Sequence, residues 1–172
     1  MVLQRLPDVA DRTSVLGTVA GYGSCAEAHH LVAPEPAGEG ALRCMQLALD
    51  DAGIGPGDVA HVDAHGTSTQ AGDLAEGRAL AHLFAGGSPP VTAVKGTTGH
   101  LIGGSGAVEA VMTLEAVRRG LVPPVAGTRR VDPAIEVDVV TGTPRPIGDG
   151  YGLSNSFGFG GVDACLVLGP PP

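Results

Sequence analysis

"VDAHGTST", residues 62–69, decides how the rest of the chain is read. Val59, Ala60, Val62 and Ala64 bring the chain in as a short buried strand. A histidine, a glycine and three hydroxyls then arrive together. In an α/β sheet ligands gather at strand ends, so His65 with Thr67, Ser68 and Thr69 marks a candidate site. A lone histidine after a strand is more often a hydrogen-bonded structural residue, and the motif needs company.

Two further stretches repeat the design of an apolar strand opening into glycines and polar or aromatic side chains. They are "VKGTTGHLIGGSGAVEA" (94–110) and "LSNSFGFGG" (153–161). Between and around them strands and helices alternate. "TSVLGTVAGYG" (13–23) is β-branched, apolar and closed by glycines, which predicts a strand. "SCAEAHHLVAPEPAGEG" (24–40) reads as a loop, because Pro34 and Pro36 flank a polar turn. "ALRCMQLALDDAG" (41–53) is helical, with Leu42, Met45 and Leu49 on one face and Gly53 as its stop.

"GDLAEGRALAHLFAGG" (72–87) is the next helix, where Asp73 and Glu76 have the spacing of a capping box. "PPVTAVKG" (89–96) is a short strand entering a long helix, "TTGHLIGGSGAVEAVMTLEAVRRG" (97–120). The first turns of that helix hold mostly small residues, as in a helix covered on several sides. "IEVDVV" (135–140) reads as an edge strand, and "YGLSNSFGFGGVDACLVLG" (151–169) as two strands joined by a glycine-rich turn. The class is α/β with a mixed, mostly parallel sheet and helices on both faces. Residues 1–172 form a single unit, with 1–12 a loose lead-in.

Composition narrows the function. The net charge of −8 argues against nucleic acid, whose phosphates need clustered Lys and Arg. No stretch has the continuous apolar core of a signal peptide or membrane span; the best candidate carries Glu109 and Glu115. Cys25, Cys44 and Cys165 are odd in number and lack metal spacing, which suits a reduced, cytoplasmic protein. His29, His30, His61 and His82 likewise lack the spacing of a zinc site, so no metal is expected. The chain has 28 Gly, three Phe, two Tyr and no Trp, so its core must pack by close backbone approach. Such a core is more credible with a second surface to pack on.

Taken in order, the motifs resemble the C-terminal half of the beta-ketoacyl synthases, the condensing enzymes of fatty-acid and polyketide assembly. The resemblance runs from about residue 14 to the end. It rests on "GYGSCAEAHH" (21–30), "PEPAGEGALRCMQLALDDAGI" (34–54), "HVDAHGTSTQAGDLAE" (61–76), "VKGTTGHLIGGSGAVEA", "VPPV" (122–125) and "NSFGFGG" (155–161). It implies one half of a thiolase-type fold, which a partner half would complete as an αβαβα sandwich.

The resemblance also implies chemistry. A cysteine takes an acyl chain as a thioester, and two histidines assist decarboxylation of a malonyl-type extender on an acyl carrier protein. The resulting carbanion attacks the thioester. His65 and His100 match the two histidines, Lys95 the active-site lysine, and Glu109 its acidic partner. Glu76 matches a further glutamate of the site, beside the capping-box reading that explains it without catalysis. Thr67 and Thr69 match hydroxyls that bond the phosphopantetheine arm. Phe159 matches a gating phenylalanine whose N–H helps form an oxyanion hole, flanked by the mobile Gly158, Gly160 and Gly161. Phe157 reads as packing, and 24–36 as a second mobile segment at the entrance, so His29 and His30 need not be ligands.

The acyl-accepting cysteine of the family lies in the N-terminal half, and none of the three cysteines here matches it. Met1 falls near the joint between halves and no motif is truncated, so the expectation is a divided ketosynthase. Its partners would be a cysteine-bearing N-terminal half, in a heterodimer or heterotetramer, and an acyl carrier protein. It would bind no cofactor of its own. The alternatives are a non-catalytic accessory or assembly subunit, either carrier-protein-docking or of the chain-length-factor type, in which the histidine motifs typically depart from this pattern, or a relic fragment. Two departures from the family stand out: Gly96-Thr97 in place of Ser and a bulkier residue, and Val162-Asp163 in place of Thr-Asn.

Overall fold

The computed structural model describes residues 1–85 and 87–172. Its elements are β1 (Thr18–Ala26), α1 (Glu39–Ala52), β2 (Val59–Asp63), α2 (Gln70–Leu83), β3 (Val91–Thr92), the single turn α3 (Lys95–Thr98), α4 (Ser105–Arg119), β4 (Leu121–Val122), β5 (Arg145–Pro146), β6 (Tyr151–Gly158) and β7 (Val162–Gly169). Five strands form one sheet in the order β1-β7-β6-β2-β3, and β4 pairs with β5 apart from it. The sheet is mixed: β6, β2 and β3 run parallel, while the β6–β7 hairpin and β1 add antiparallel ladders.

Helices cover both faces. Cys44, Met45 and Leu49 of α1 and Ala79 and Leu80 of α2 close over Val62, Leu153, Cys165 and Val167 in one apolar core. On the opposite face, α4 lies so close to the sheet that a methyl on Gly152 would collide with Thr113. The first strand meets α1 in the same way. A Cβ on Gly23 would strike the Cys44 carbonyl, and one on Gly21 the Ala48 carbonyl. Close backbone approach thus takes the place of large side chains, as the composition required.

Three expectations about elements change. The first strand lies at Thr18–Ala26, beyond the predicted 13–23, because it pairs along its whole length with β7. Cross-strand pairing outweighs the local loop signal at 24–26. The predicted helix over 97–120 starts only at Ser105. Gly99 at φ 69° and Ile102 at φ 53° leave the helical region, so the segment carrying His100 is a loop. The helix α2 begins at Gln70 with Thr69 as its N-cap, two residues before the predicted 72–87, and ends at Leu83. Gly86, within the predicted 72–87, lies outside the described residues.

The segment "IEVDVV" does run along the sheet edge. Val140 N–H donates to the Val91 carbonyl, and Val91 N–H to Asp138. No helix among the described residues is long and apolar enough to cross a membrane.

Candidate active site

The strand ends and the β6–β7 hairpin bring the three sequence motifs to one place. His65 follows β2 directly and is half-buried. Its ring centroid lies 5.7 Å from that of His100, edge to face at 85°. The Phe157 ring centroid lies 5.9 Å from that of His65, tilted by 53°, so Phe157 packs on the candidate site itself.

Glu76 fixes the loop that presents His65. One carboxylate oxygen accepts the His65 N–H at 2.9 Å, the other the Gly66 N–H at 3.0 Å, and Asn155 Nδ2 donates at 3.0 Å. The capping box is absent: Asp73 lies within the first turn of α2 and accepts the Ser68 N–H instead. Ser68 itself stands at φ 63°, which concentrates strain in the loop. Burial raises the Glu76 pKa, while its three hydrogen-bond donors and Lys95 pull it back.

His100 is held by its own loop. Its Nδ1 accepts the Ile102 N–H at 3.2 Å and lies 3.0 Å from Ser105 Oγ, which in turn accepts the Leu101 N–H. An Nδ1 that accepts an amide proton carries none itself, so the His100 proton sits on Nε2. Burial depresses the His65 pKa to about 4, with Lys95 and His100 adding repulsion, so that imidazole is neutral at pH 7.

Beneath the two rings lies a buried polar layer. Lys95 Nζ is 2.5 Å from Glu109 Oε1, both side chains nearly inaccessible. The contact is ionic and lacks the alignment of a hydrogen bond. Asp63, which sequence reasoning missed, sits beside them at 1% exposure. Its Oδ1 accepts the Val94 N–H, and burial pushes its carboxyl up to about 8, reinforced by Glu109. The only signal for it was a charged residue at the end of an apolar strand.

Two connected clefts open on this centre. One, of about 570 Å³, is lined by Thr67, Lys95, Gly96, His100, Thr128 and Arg130. The other, of about 380 Å³, includes His65, Thr67, Thr69 and the hairpin tip with Phe159. Thr67 Oγ1 and Thr69 Oγ1 are 3.1 Å apart. Phe159 stands 82% exposed at the tip, with Gly160 and Gly161 at positive φ beside it. Gly158 ends β6 beneath it. Gly96, one of the departures, has a local cause: a Cβ there would come within 2.5 Å of the Ala126 carbonyl.

The three cysteines lie elsewhere. Burial pushes the Cys44 thiol up to about 12 and raises Cys165 well above its ordinary range. Cys25 is raised as well, by burial and by Asp163. A nucleophilic thiol needs the opposite shift. His61 is engaged with the Pro90 carbonyl, and His30 Nδ1 accepts two loop amides. Among the described residues no three His, Cys, Asp or Glu side chains converge as metal ligands would.

Fold and site together define an α/β half-module with a two-histidine centre at its strand ends. The chain belongs to the beta-ketoacyl synthase family, whose C-terminal domain matches residues 16–129. It is 43% identical over 156 residues to 3-oxoacyl-[acyl-carrier-protein] synthase 2 of Mycobacterium tuberculosis, covering 91% of this chain and 37% of that protein. A solved beta-ketoacyl synthase from Burkholderia phymatum, 35% identical, superposes with a TM-score of 0.86 over 91% of this chain and 38% of that one. The ishigamide ketosynthase/chain length factor, 34% identical, gives 0.86 over 90% and 38%. The chain therefore spans about two fifths of the length of the proteins it matches.

Proposed function

We propose that this chain is the histidine-bearing half of a divided ketosynthase and performs decarboxylative Claisen condensation on carrier-protein thioesters. The observation that carries the reading is the facing pair His65 and His100, one neutral by burial and the other with its proton on Nε2. A malonyl-type thioester would place its carbonyl oxygen between them. As the carbon–carboxylate bond breaks and carbon dioxide leaves, the electron pair passes to the thioester enolate. N–H donors aimed at that oxygen stabilise the charge. The enolate carbon then attacks an acyl thioester, a carbon–carbon bond forms, and the thiolate leaves.

Lys95 and Glu109 orient His100 and set the local field. Glu76 positions His65. Thr67 and Thr69 hold the two amides of a phosphopantetheine arm in the cleft that they line. The Phe159 N–H joins an oxyanion hole as the glycine-flanked tip swings. No cofactor of this chain's own enters the scheme.

The acyl-accepting thiol comes from a cysteine-bearing ketosynthase half on another polypeptide. Two observations support this. The three thiols here are shifted away from reactivity. On α4 and the turn before it, Leu101, Ile102, Val111 and Met112 are exposed large apolar side chains, of the kind that interaction surfaces carry. An acyl carrier protein is the second partner, and the assembly is a heterodimer or heterotetramer in the cytoplasm.

The test is to purify the tagged chain from its native extract and identify what accompanies it. A cysteine-bearing ketosynthase half in equal amount is expected. Condensation by that pair should fall at least about 100-fold in His65→Ala or His100→Ala. Recovery of only a carrier protein, a complete ketosynthase, or nothing would leave an accessory subunit or a relic.

A further inference from the structure

The tip of the β6–β7 hairpin is tied to the loop after β1 by two main-chain bonds. Glu27 N–H donates to the Gly161 carbonyl at 2.8 Å, and Gly160 N–H to the Leu31 carbonyl at 2.8 Å. Gly161 fits so tightly that a Cβ would collide with the Glu27 carbonyl, and its φ of 70° favours glycine. Glu27 is the hub of this joint. Its Oε1 accepts the Glu35 N–H at 2.9 Å, which leaves Oε2 free of that loop.

Oε2 is met by Asp163, two residues beyond Gly161 on β7. A methyl placed on Gly40 would collide with Glu27 Oε2 and lie 2.9 Å from Asp163 Oδ2, so the two carboxyl groups close on one point. Asp163 is 5% exposed, yet its carboxyl has only a 4.0 Å contact with the Cys25 thiol. The groups that act on it are Glu27 at the end of β1 and Glu76 on α2. The thiols of Cys25 on β1 and Cys44 on α1 lie beside it, and Arg43 acts on Cys25. His30, Glu35, Asp73, His65 and His100 line the same cleft. An ionised carboxyl on the buried Asp163 meets repulsion from Glu27; a proton on Asp163 converts that repulsion into an O–H···O bond.

We propose that Asp163 is a positioning residue of the site: in its protonated form it donates to Glu27 Oε2 and holds the hairpin tip that carries Phe159. Ionisation of Asp163 leaves two carboxylates facing each other, and the tip is released from the Glu27 loop. Burial, with Glu27 and Glu76, pushes the Asp163 carboxyl from 3.8 up to about 6, so the tie weakens as pH rises between those values and is lost above about 6. The inference rests on the proposed function only in taking the tip to be part of the working site.

The experiment is amide hydrogen exchange of Glu27 and residues 157–163 in the full chain between pH 4 and 8, corrected for the intrinsic pH dependence of exchange. Protection at Gly160 and Glu27 should fall by up to about tenfold per pH unit as pH rises toward 6 in the wild type, and level off above it. It should stay flat in Asp163→Asn, and in Glu27→Gln, which removes the other carboxylate. Identical pH profiles in wild type and Asp163→Asn overturn the proposal. If Asp163→Asn does not fold by circular dichroism, a wild-type profile in Glu27→Gln overturns it equally. The readout involves no acyl chemistry. Loss of condensation with the profile intact would therefore count against the proposed function alone.

Discussion

Glu76 accepts the backbone N–H groups of both His65 and Gly66, one on each carboxylate oxygen. A residue on α2 thus sets the backbone from which the first histidine projects. Asn155 Nδ2, from β6, keeps the carboxylate in that orientation. Removing the acceptor leaves two amides without partners in a largely closed place. Glu76→Ala should lower stability by about 2–4 kcal/mol. Glu76→Gln keeps one acceptor oxygen but turns an N–H₂ toward the other amide, so it should lose about half as much. Denaturant unfolding at constant m-value checks both figures.

The buried ion pair makes a sharper prediction. Among the described residues, Lys95 is the cation that acts on the buried carboxyl groups of Glu109, Asp63 and Glu76. Lys95→Ala strands Glu109 and should cost about 3–5 kcal/mol, because an uncompensated buried charge is worse than no charge. Lys95→Met combined with Glu109→Leu should regain most of that loss. The double variant would nevertheless be inactive with any partner half, since His100 would lose the field that orients it. Stability and condensation measured on the same preparations separate the two effects.

Much of this was legible in the residues. Three glycine-laden strand ends marked a candidate site, and the structure brings His65 beside His100 and Lys95 beside Glu109. Glycines facing α1 carry the close packing that the aromatic-poor composition demanded. What stayed hidden has specific causes. Small residues over 97–104 look helical in composition, and only the left-handed backbone at Gly99 and Ile102 makes them a loop. Asp73 and Glu76 satisfy the capping-box spacing by coincidence, because spacing alone does not say where α2 begins. Asp63 and Ser105 were missed because their importance lies in partners distant in sequence or reached through a loop.

The pH dependence of folding has two limbs of opposite sign. Burial lowers His65 and His61 from 6.5 to about 4. The unfolded chain therefore takes up these protons first on acidification, and stability falls as pH drops from about 6.5 toward 4. Asp63 is raised from 3.8 to about 8, so there the folded chain binds the extra proton. Its contribution is full below about pH 3.8 and is lost as pH rises toward 8. Asp63→Asn should flatten the alkaline limb and leave the acid limb in place. His65→Gln should flatten part of the acid limb only. Unfolding free energies in urea at half-unit steps from pH 4 to 9 test both; an unchanged alkaline limb in Asp63→Asn would count against the assignment.

Ile102 joins backbone strain to an exposed face. It is β-branched at φ 53° and 76% exposed, and its N–H donates to His100 Nδ1. A β-branched residue in the left-handed region costs about 1–2 kcal/mol, and an exposed isoleucine returns nothing to the isolated chain. Burial of that side chain against a partner half would offset the cost. Ile102→Gly keeps the N–H and tolerates positive φ. It should therefore stabilise the isolated chain by up to about 1 kcal/mol, while weakening association with a partner half by about 1.5–3 kcal/mol, the value of burying one large aliphatic side chain. Urea unfolding of the chain alone and titration calorimetry with the partner give the two numbers. Opposite signs support a strain held for assembly. Loss in both would mean that Ile102 is packed within its own chain, and no change in association would mean that the 101–102 turn lies outside the interface.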